Sequence, residues 1–276
     1  MKYARILLLL LLGLSAAAFG ASKAKEFTEK NANLPVFTCS SDVLELSCDY
    51  TDEDLLYGIT AYDKEDGDLT DKILVGSFSR FIADASCSVT YVVFDSANAA
   101  STYERKVRFN DYVSPRILLS EPLVFTEGSG STDLVRSRLV INDKLDGSLA
   151  QSAQFSNISV YYDYEGDYSL TVTATNSFGD IVEETLPVHI IPKTYSSLTI
   201  SLSAPKIYLA KGEAFDPMDY VKDVADLSGN SYDPKSHVAA KSDVNTDAPG
   251  TYEVFYEAEN GGGEKGETWL IVTVEE

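Results

Sequence analysis

Five carboxylates stand within nine residues of one another in this chain. They are Asp63, Glu65, Asp66, Asp68 and Asp71, set around Gly67 in the phrase Ala61-Tyr-Asp-Lys-Glu-Asp-Gly-Asp-Leu-Thr-Asp-Lys-Ile73. Hard oxygen ligands on a flexible loop are what calcium takes, so these five residues are a candidate site for that ion. The spacing is not that of an EF-hand, because no Glu closes a loop of the required length and no helical pattern flanks it. A second reading competes with the metal. Asp66-Gly67-Asp68 forms a turn whose side chains cap backbone amides, and the other acids are solvated. Two weaker versions of the phrase follow, Ile141-Asn-Asp-Lys-Leu-Asp-Gly-Ser-Leu149 and Val224-Ala-Asp-Leu-Ser-Gly-Asn-Ser-Tyr232. The first of them keeps Asp146-Gly147 and loses the flanking carboxylates, as a turn requirement predicts. In the second, Asp223, Asp226 and Asp233 are sparser still and are expected at the surface.

No second constellation in the chain suggests catalysis, and no catalytic residue is assigned. Gly-x-Ser-x-Gly, His-Glu-x-x-His and a phosphate-cradling glycine loop are all missing from the sequence. Gly261-Gly-Gly263 is expected in a hairpin turn. Trp269 with Tyr252 and Tyr256 could build a sugar-stacking platform, but a single Trp on an alternating terminal strand is more often core. Calcium is the one cofactor in question.

Cys39, Cys48 and Cys87 lie in the first third of the chain, and no cysteine occurs elsewhere. One disulfide plus one buried thiol is the plainest arithmetic for an exported protein, with the pairing open. Three small buried hydrophobes kept reduced is the equal alternative. Zinc is not expected, since no Cys-x-x-Cys pair exists and the two histidines, His189 and His237, are far from the cysteines in sequence.

The elements that must hold these residues repeat. The three acidic phrases recur roughly every 80 residues, a period that signals arrayed modules. After each comes a hairpin of alternating apolar and polar residues: Cys87-Ser-Val-Thr-Tyr-Val-Val-Phe94 to Phe109, Gly166-Asp-Tyr-Ser-Leu-Thr-Val-Thr-Ala174 to Ile190, and Gly250-Thr-Tyr-Glu-Val-Phe-Tyr256 to Val274. Period-2 alternation places Tyr168, Leu170, Val172 and Ala174 on one face and Ser169, Thr171 and Thr173 on the other, the pattern of a sandwich strand. By position, Cys87 takes the inward place of Tyr168 and Tyr252. Asn176-Ser-Phe-Gly and Asn260-Gly-Gly-Gly supply residues that tolerate positive φ at the turns.

The order of the acidic phrase, then Gly-Thr-Tyr-x-Val-x-Tyr, then a Val-rich last strand resembles a family of bacterial immunoglobulin-like domains first described from a pesticidal crystal protein. The acidic phrase carries the resemblance in the first copy and Gly250-Thr-Tyr252 carries it in the third; in residues 115–192 it rests mainly on repeat position. The resemblance implies sandwiches of about seven strands used as stalk or adhesive modules, with no catalytic residues to carry over. The expected fold is therefore all-β, a tandem array of three immunoglobulin-like β-sandwich domains over residues 34–111, 112–192 and 193–276. The joints Asn110–Pro115 and Ile191–Ser197 are short and each contains a proline, which predicts a semi-rigid rod.

Residues 1–20 are expected to export the array. Lys2 and Arg5 precede an apolar run from Ile6 to Leu14, and small residues flank Phe19, the pattern of a secretory signal. An uncleaved anchor competes with cleavage, because the stretch from Ile6 to Ala21, about 16 residues, falls only slightly short of the roughly 17 to 25 that span a bilayer. Residues 21–33 are polar and aperiodic and are expected to act as a tether. The chain carries 43 acidic and 22 basic side chains for a formal charge of -21, which repels nucleic acid and anionic lipid. With 44% hydrophobic residues it can still fill several small cores. The expected location is extracellular or in the cell envelope, the expected partner a surface protein or glycan, and the expected membrane contact only the N-terminal segment.

Overall fold

A computed structural model describes residue 15 and residues 19–23 and 34–276. Apart from the few residues just named, the expected export segment and tether lie outside the described residues. Among the described residues no helix is long and apolar enough to cross a membrane. The chain forms two compact units, one ending at Tyr112 and the other spanning Val113–Glu276.

The first unit is a sandwich of a three-stranded and a four-stranded sheet. Strands β1 (Val36–Cys39), β3 (Ile59–Asp63) and β4 (Gly67–Asp68) form the small sheet in the order β1-β3-β4. Strands β2 (Val43–Leu46), β5 (Leu74–Phe78), β6 (Ser86–Phe94) and β7 (Ala100–Phe109) form the large one in the order β2-β7-β6-β5, with β2 parallel to β7. The alternation read from sequence does the work expected of it: Cys87, Val89, Tyr91 and Val93 of β6 all face the core and are essentially inaccessible. The short helix α1 (Asp52–Leu55) starts at a Thr51 capping box closed by Asp54 and buries Leu55. The Tyr91 hydroxyl donates to the Leu55 carbonyl at 2.6 Å, so the polar tip of this core residue is satisfied. Arg105 is 2% exposed on β7, and its guanidinium donates to the carbonyls of Ser41 at 3.0 Å and Tyr57 at 2.7 Å.

The second unit holds two more sandwiches built to the same plan. In the first of these, β8 (Ile117–Leu119), β10 (Leu139–Asp143) and β11 (Gly147–Ser148) pair in the order β11-β10-β8, and helix α2 (Thr132–Arg138) is capped by Ser131. Facing them are β9 (Val124–Thr126), β12 (Gln154–Ser156), β13 (Gly166–Thr175) and β14 (Ile181–Ile191), in the order β12-β13-β14-β9, with β9 parallel to β14. The next sandwich pairs β15 (Leu198–Leu202), β17 (Val221–Asp226) and β18 (Ser231–Tyr232) in the order β15-β17-β18. Its large sheet, β16-β21-β20-β19, contains β16 (Lys206–Leu209), β19 (Val238–Ser242), β20 (Gly250–Glu259) and β21 (Lys265–Val274), with β16 parallel to β21. Helix α3 (Pro234–His237) lies between β18 and β19. The fold is all-β, and each sandwich has seven strands.

Register fixes the equivalence of the repeats. Cys87 lies opposite Val107, Tyr168 opposite Val188 and Tyr252 opposite Val272, so the three side chains occupy one position in the plan. In the second and third sandwiches the tyrosine hydroxyl hooks back to a carbonyl four residues earlier, Tyr164 at 3.1 Å and Ala248 at 3.0 Å. The ring thereby folds over the glycine two places before it: a Cβ on Gly166 would sit 3.1 Å from the Tyr168 hydroxyl. In the first sandwich Cys87 fills this place as a buried thiol.

The two sandwiches of the second unit do not have wholly separate cores. Ile271 of β21 belongs to the cluster formed by Ile117, Ile141, Leu170, Val172, Leu186 and Val188 of the preceding sandwich.

Candidate functional site

The acidic phrase of the first sandwich is the hairpin between β3 and β4, with Tyr62 opposite Asp68 and Asp63 opposite Gly67. Asp63 is buried at 2% exposure, and its Oδ1 accepts the amides of Glu65 at 2.8 Å and Asp66 at 3.0 Å. Gly67 follows at φ 78°, where a glycine is the natural occupant. Asp66 Oδ2 accepts the Ser96 amide at 2.6 Å and so ties this turn to the β6–β7 turn. Asp68 Oδ1 accepts the Thr70 amide at 2.9 Å, at the start of a single 3₁₀ turn over Thr70–Lys72. Hydrogen bonds from Ser96 hold the Asp66 carboxyl below the usual range, and those from Thr70 do the same for Asp68. Glu65 and Asp71 are exposed. Three of the five carboxylates thus accept backbone amides, Asp63 and Asp68 within their own turn and Asp66 from the β6–β7 turn. Among the described residues no three or more acid, histidine or cysteine side chains are gathered into one cluster.

The same device recurs in the other copies. Asp143 Oδ1 accepts the amides of Leu145 at 2.8 Å and Asp146 at 2.9 Å, with Gly147 at φ 74°. Asp226 Oδ1 accepts those of Ser228 and Asn230, both at 2.9 Å, with Gly229 at φ 84°. Asp226, expected at the surface as one of a sparse group, is therefore the turn-forming counterpart of Asp63 and Asp143. Asp146 bridges to the Ser177 amide just as Asp66 does to that of Ser96.

A second set of equivalent residues faces these aspartates from the turns of the long hairpins. Asp95, Asn176 and Asn260 each follow the last residue of the outgoing strand, and each accepts the amide four residues on with Oδ1: Ala99 at 2.7 Å, Asp180 at 2.9 Å and Glu264 at 3.1 Å. Positive φ in these turns falls on Asn98, Gly179 and Gly263, while Asn176 and Asn260 act through their side chains. The amide nitrogen of Asn176 donates to Asp143 Oδ2 at 3.1 Å. That of Asn260 donates to the Tyr232 hydroxyl at 3.1 Å, which in turn bonds Asp226 Oδ2 at 3.0 Å. In the first sandwich the corresponding residue is an aspartate, and Asp63 Oδ2 is buried with no hydrogen-bond partner.

Cys39, Cys48 and Cys87 are thiols, without a disulfide among them. Cys39 sits on β1 of the small sheet and Cys87 on β6 of the large one, and the Cys39 thiol bonds the Ser41 carbonyl at 3.1 Å. Burial alone pushes the Cys87 thiol up to about 11, which suits a small hydrophobe and not a nucleophile.

Trp269 does not form a surface platform with Tyr252 and Tyr256. It stacks on His189 with ring centroids 4.0 Å apart and planes 7° off parallel, and it packs against Phe255 at 4.9 Å, while Tyr256 is wholly buried. His189 bonds Asp167 through Nδ1 and Glu253 through Nε2, both at 2.7 Å, so the ring is held between a carboxylate of β13 and one of β20. Burial lowers its pKa, and the Glu253 and Asp167 carboxylates outweigh that, leaving it above the ordinary value. Close by in sequence, the fully buried Lys206 ammonium lies 2.8 Å from Glu184, which also receives the Tyr208 hydroxyl. Desolvation lowers the Lys206 pKa despite Glu184. Tyr208 further donates to the Ile117 carbonyl at 3.1 Å, and Arg116 stacks over its ring while bonding Glu275 at 2.5 Å. Sequence reading missed this cluster. The signals were a histidine inside Pro187-Val-His-Ile-Ile191 and a lysine opening Lys206-Ile-Tyr-Leu209, charged residues in otherwise apolar strands.

Residues 201–274, within the third sandwich, match the model of a bacterial surface protein Ig-like domain. The chain is 26% identical over 223 residues to the pesticidal crystal protein Cry22Aa of Bacillus thuringiensis, covering 78% of this chain and 29% of that protein. It thus spans under a third of that relative's length. Solved structures that align include the M60 catalytic domain with two CBM51 domains from Clostridium perfringens ZmpB, at 12% identity, TM-score 0.25, 88% of this chain and 31% of that one. Mouse cadherin-23 EC22-24 aligns at 12% identity, TM-score 0.21, 88% of this chain and 99% of that one. At those scores the structural alignments carry no argument. The sequence matches uphold the resemblance first carried by the acidic phrase and by Gly250-Thr-Tyr252, that of a bacterial surface immunoglobulin-like domain.

Proposed function

We propose that this chain is an exported, non-catalytic bacterial surface protein whose immunoglobulin-like sandwiches bind, adhere or space. The observation that supports this best is the use made of its buried polar groups in the second unit. His189, Lys206 and Tyr208 are each bonded to residues of both sandwiches or to the carboxylate between them, so these buried titratable groups join modules instead of lining a substrate cleft. The family-model match within the third sandwich agrees. Cell fractionation should find the protein in the envelope or medium, and the purified chain should bind in an array of glycans and surface proteins without turning over substrates. Hydrolysis of an arrayed ligand would overturn the reading.

A glycan as the ligand is favoured by one surface feature. Tyr161 and Tyr164 are 65% and 68% exposed on the loop before β13, beside Asp163 and Glu165. Exposed tyrosine rings with adjacent hydrogen-bonding carboxylates suit stacking on a sugar. The double substitution Tyr161→Ala with Tyr164→Ala should abolish array binding of glycans with little change in thermal stability. Retained binding would move the ligand site elsewhere.

A further inference from the structure

Asp63 Oδ2 is one of only two buried side-chain polar atoms without a hydrogen-bond partner among the described residues. Buried acid oxygens are costly when unpaired, so one left bare in a repeated motif calls for a physical reason. The other two copies show what the position requires. At Asp143 the second oxygen receives the Asn176 amide nitrogen, and at Asp226 it receives the Tyr232 hydroxyl, itself held by Asn260. The first copy keeps the geometry and changes the chemistry. Asp95 closes its turn through Oδ1 on the Ala99 amide just as Asn176 does on Asp180, which leaves its second oxygen where Asn176 has its NH₂. By the equivalence of the turns a donor has become an acceptor, which puts the Asp95 carboxylate at the place from which Asn176 reaches Asp143.

We propose that a hard divalent cation, with calcium as the probe, binds between Asp63 Oδ2 and Asp95 at the tip of the first sandwich. Two carboxylates on rigid turns, with water completing the shell, match oxygen-seeking cations and exclude soft metals. Only two protein acids contribute, so the affinity falls in the weak range of extracellular modules, roughly 0.1 to 1 mM. The site differs from the five-carboxylate cluster of the sequence: it keeps Asp63, adds Asp95 and does not use Glu65 or Asp71. It does not depend on the proposed function.

The test is isothermal titration of the full chain with calcium chloride, with sodium chloride at matched ionic strength as control, paired with melting curves in chelator and in excess calcium. The unaltered chain should take up one calcium and melt higher in its presence. Asp95→Asn retains the Oδ1 acceptor for Ala99 and restores the amide donor seen in Asn176. It should therefore melt higher than the parent in chelator, weaken calcium binding about tenfold or more, and lose the calcium-dependent shift. The pair Glu65→Gln with Asp71→Asn should bind as the parent does. Asp95→Asn binding calcium like the parent would overturn the site, as would loss of binding in the Glu65/Asp71 pair. A parent chain that takes up no calcium would likewise overturn the site.

Discussion

One atom of difference between an asparagine and an aspartate decides how a buried acid is satisfied in these sandwiches. Asn176 is buried, and its amide closes the Asp143 carboxylate, while its Oδ1 closes its own turn. Asn176→Asp keeps the second bond and destroys the first, placing a carboxylate against a carboxylate. The expected cost is about 1 to 3 kcal/mol, the usual penalty for stranding a buried hydrogen-bonding group. Urea titration of the full chain should show the transition of the second unit at lower denaturant with an unchanged slope. A variant as stable as the parent would mean that this bond carries no weight. The Asp-Gly turns were legible in the sequence because turn residues act locally, but Asp63, expected to be solvated, is the buried acid that accepts the amides of Glu65 and Asp66. The Asn176 partnership was not, since its acceptor lies 33 residues earlier, and nothing in Asn-Ser-Phe-Gly says which acid it will meet.

Strand alternation and turn residues revealed the hairpins, because both signals are contained within about ten residues. They could not reveal where one strand passes close over another. Gly266 in β21 is such a place: a Cβ there would lie 2.2 Å from the Leu198 carbonyl oxygen and 2.8 Å from its carbon, both backbone atoms of the first residue of β15. Backbone cannot swing aside as a side-chain tip can. Gly266→Ala should therefore destabilise the second unit by roughly 1 to 3 kcal/mol, as other overpacked positions do. Gly261→Ala, with open space around its position, serves as control. Thermal melting that fails to separate the two variants would contradict this close approach.

The second unit joins two sandwiches through charged groups removed from water, and this was the least legible feature of all. The pair His189 and Glu253 is separated by 64 residues, and Tyr208 and Ile117 by 91, so no local pattern could announce them. What the sequence predicted as a semi-rigid joint at Ile191–Ser197 is, within this unit, a contact with polar bonds and a shared Ile271. The raised pKa of His189 makes the unit pH-sensitive in a definite direction. A histidine more basic when folded than when unfolded contributes its stability fully below its unfolded pKa of about 6.5, and that contribution is lost as pH rises through the higher folded value. Calorimetry between about pH 5.5 and 8.5 should show the parent losing melting temperature with rising pH more steeply than His189→Gln. Comparison with the variant matters because protonating any of the chain's 43 acids also relieves repulsion at low pH. Equal slopes would show that the imidazole does not titrate against Asp167 and Glu253.

In every sandwich an early strand lies parallel to the last one, β2 on β7, β9 on β14 and β16 on β21. For the third sandwich four consecutive residues are in register, Lys206 with Ile271 through Leu209 with Val274, and the four-residue pairing of Val43–Leu46 with Lys106–Phe109 does the same in the first. A pull on the two ends of such a module runs along these strands in opposite directions, because the early strand is held from its beginning and the last from its end. The bonds between them are then sheared together instead of being peeled one after another. Rupture requires several to fail at once. A chain tethered at one end and gripping a ligand at the other would thus meet tension at the pairing best arranged to resist it, in each of its three repeats.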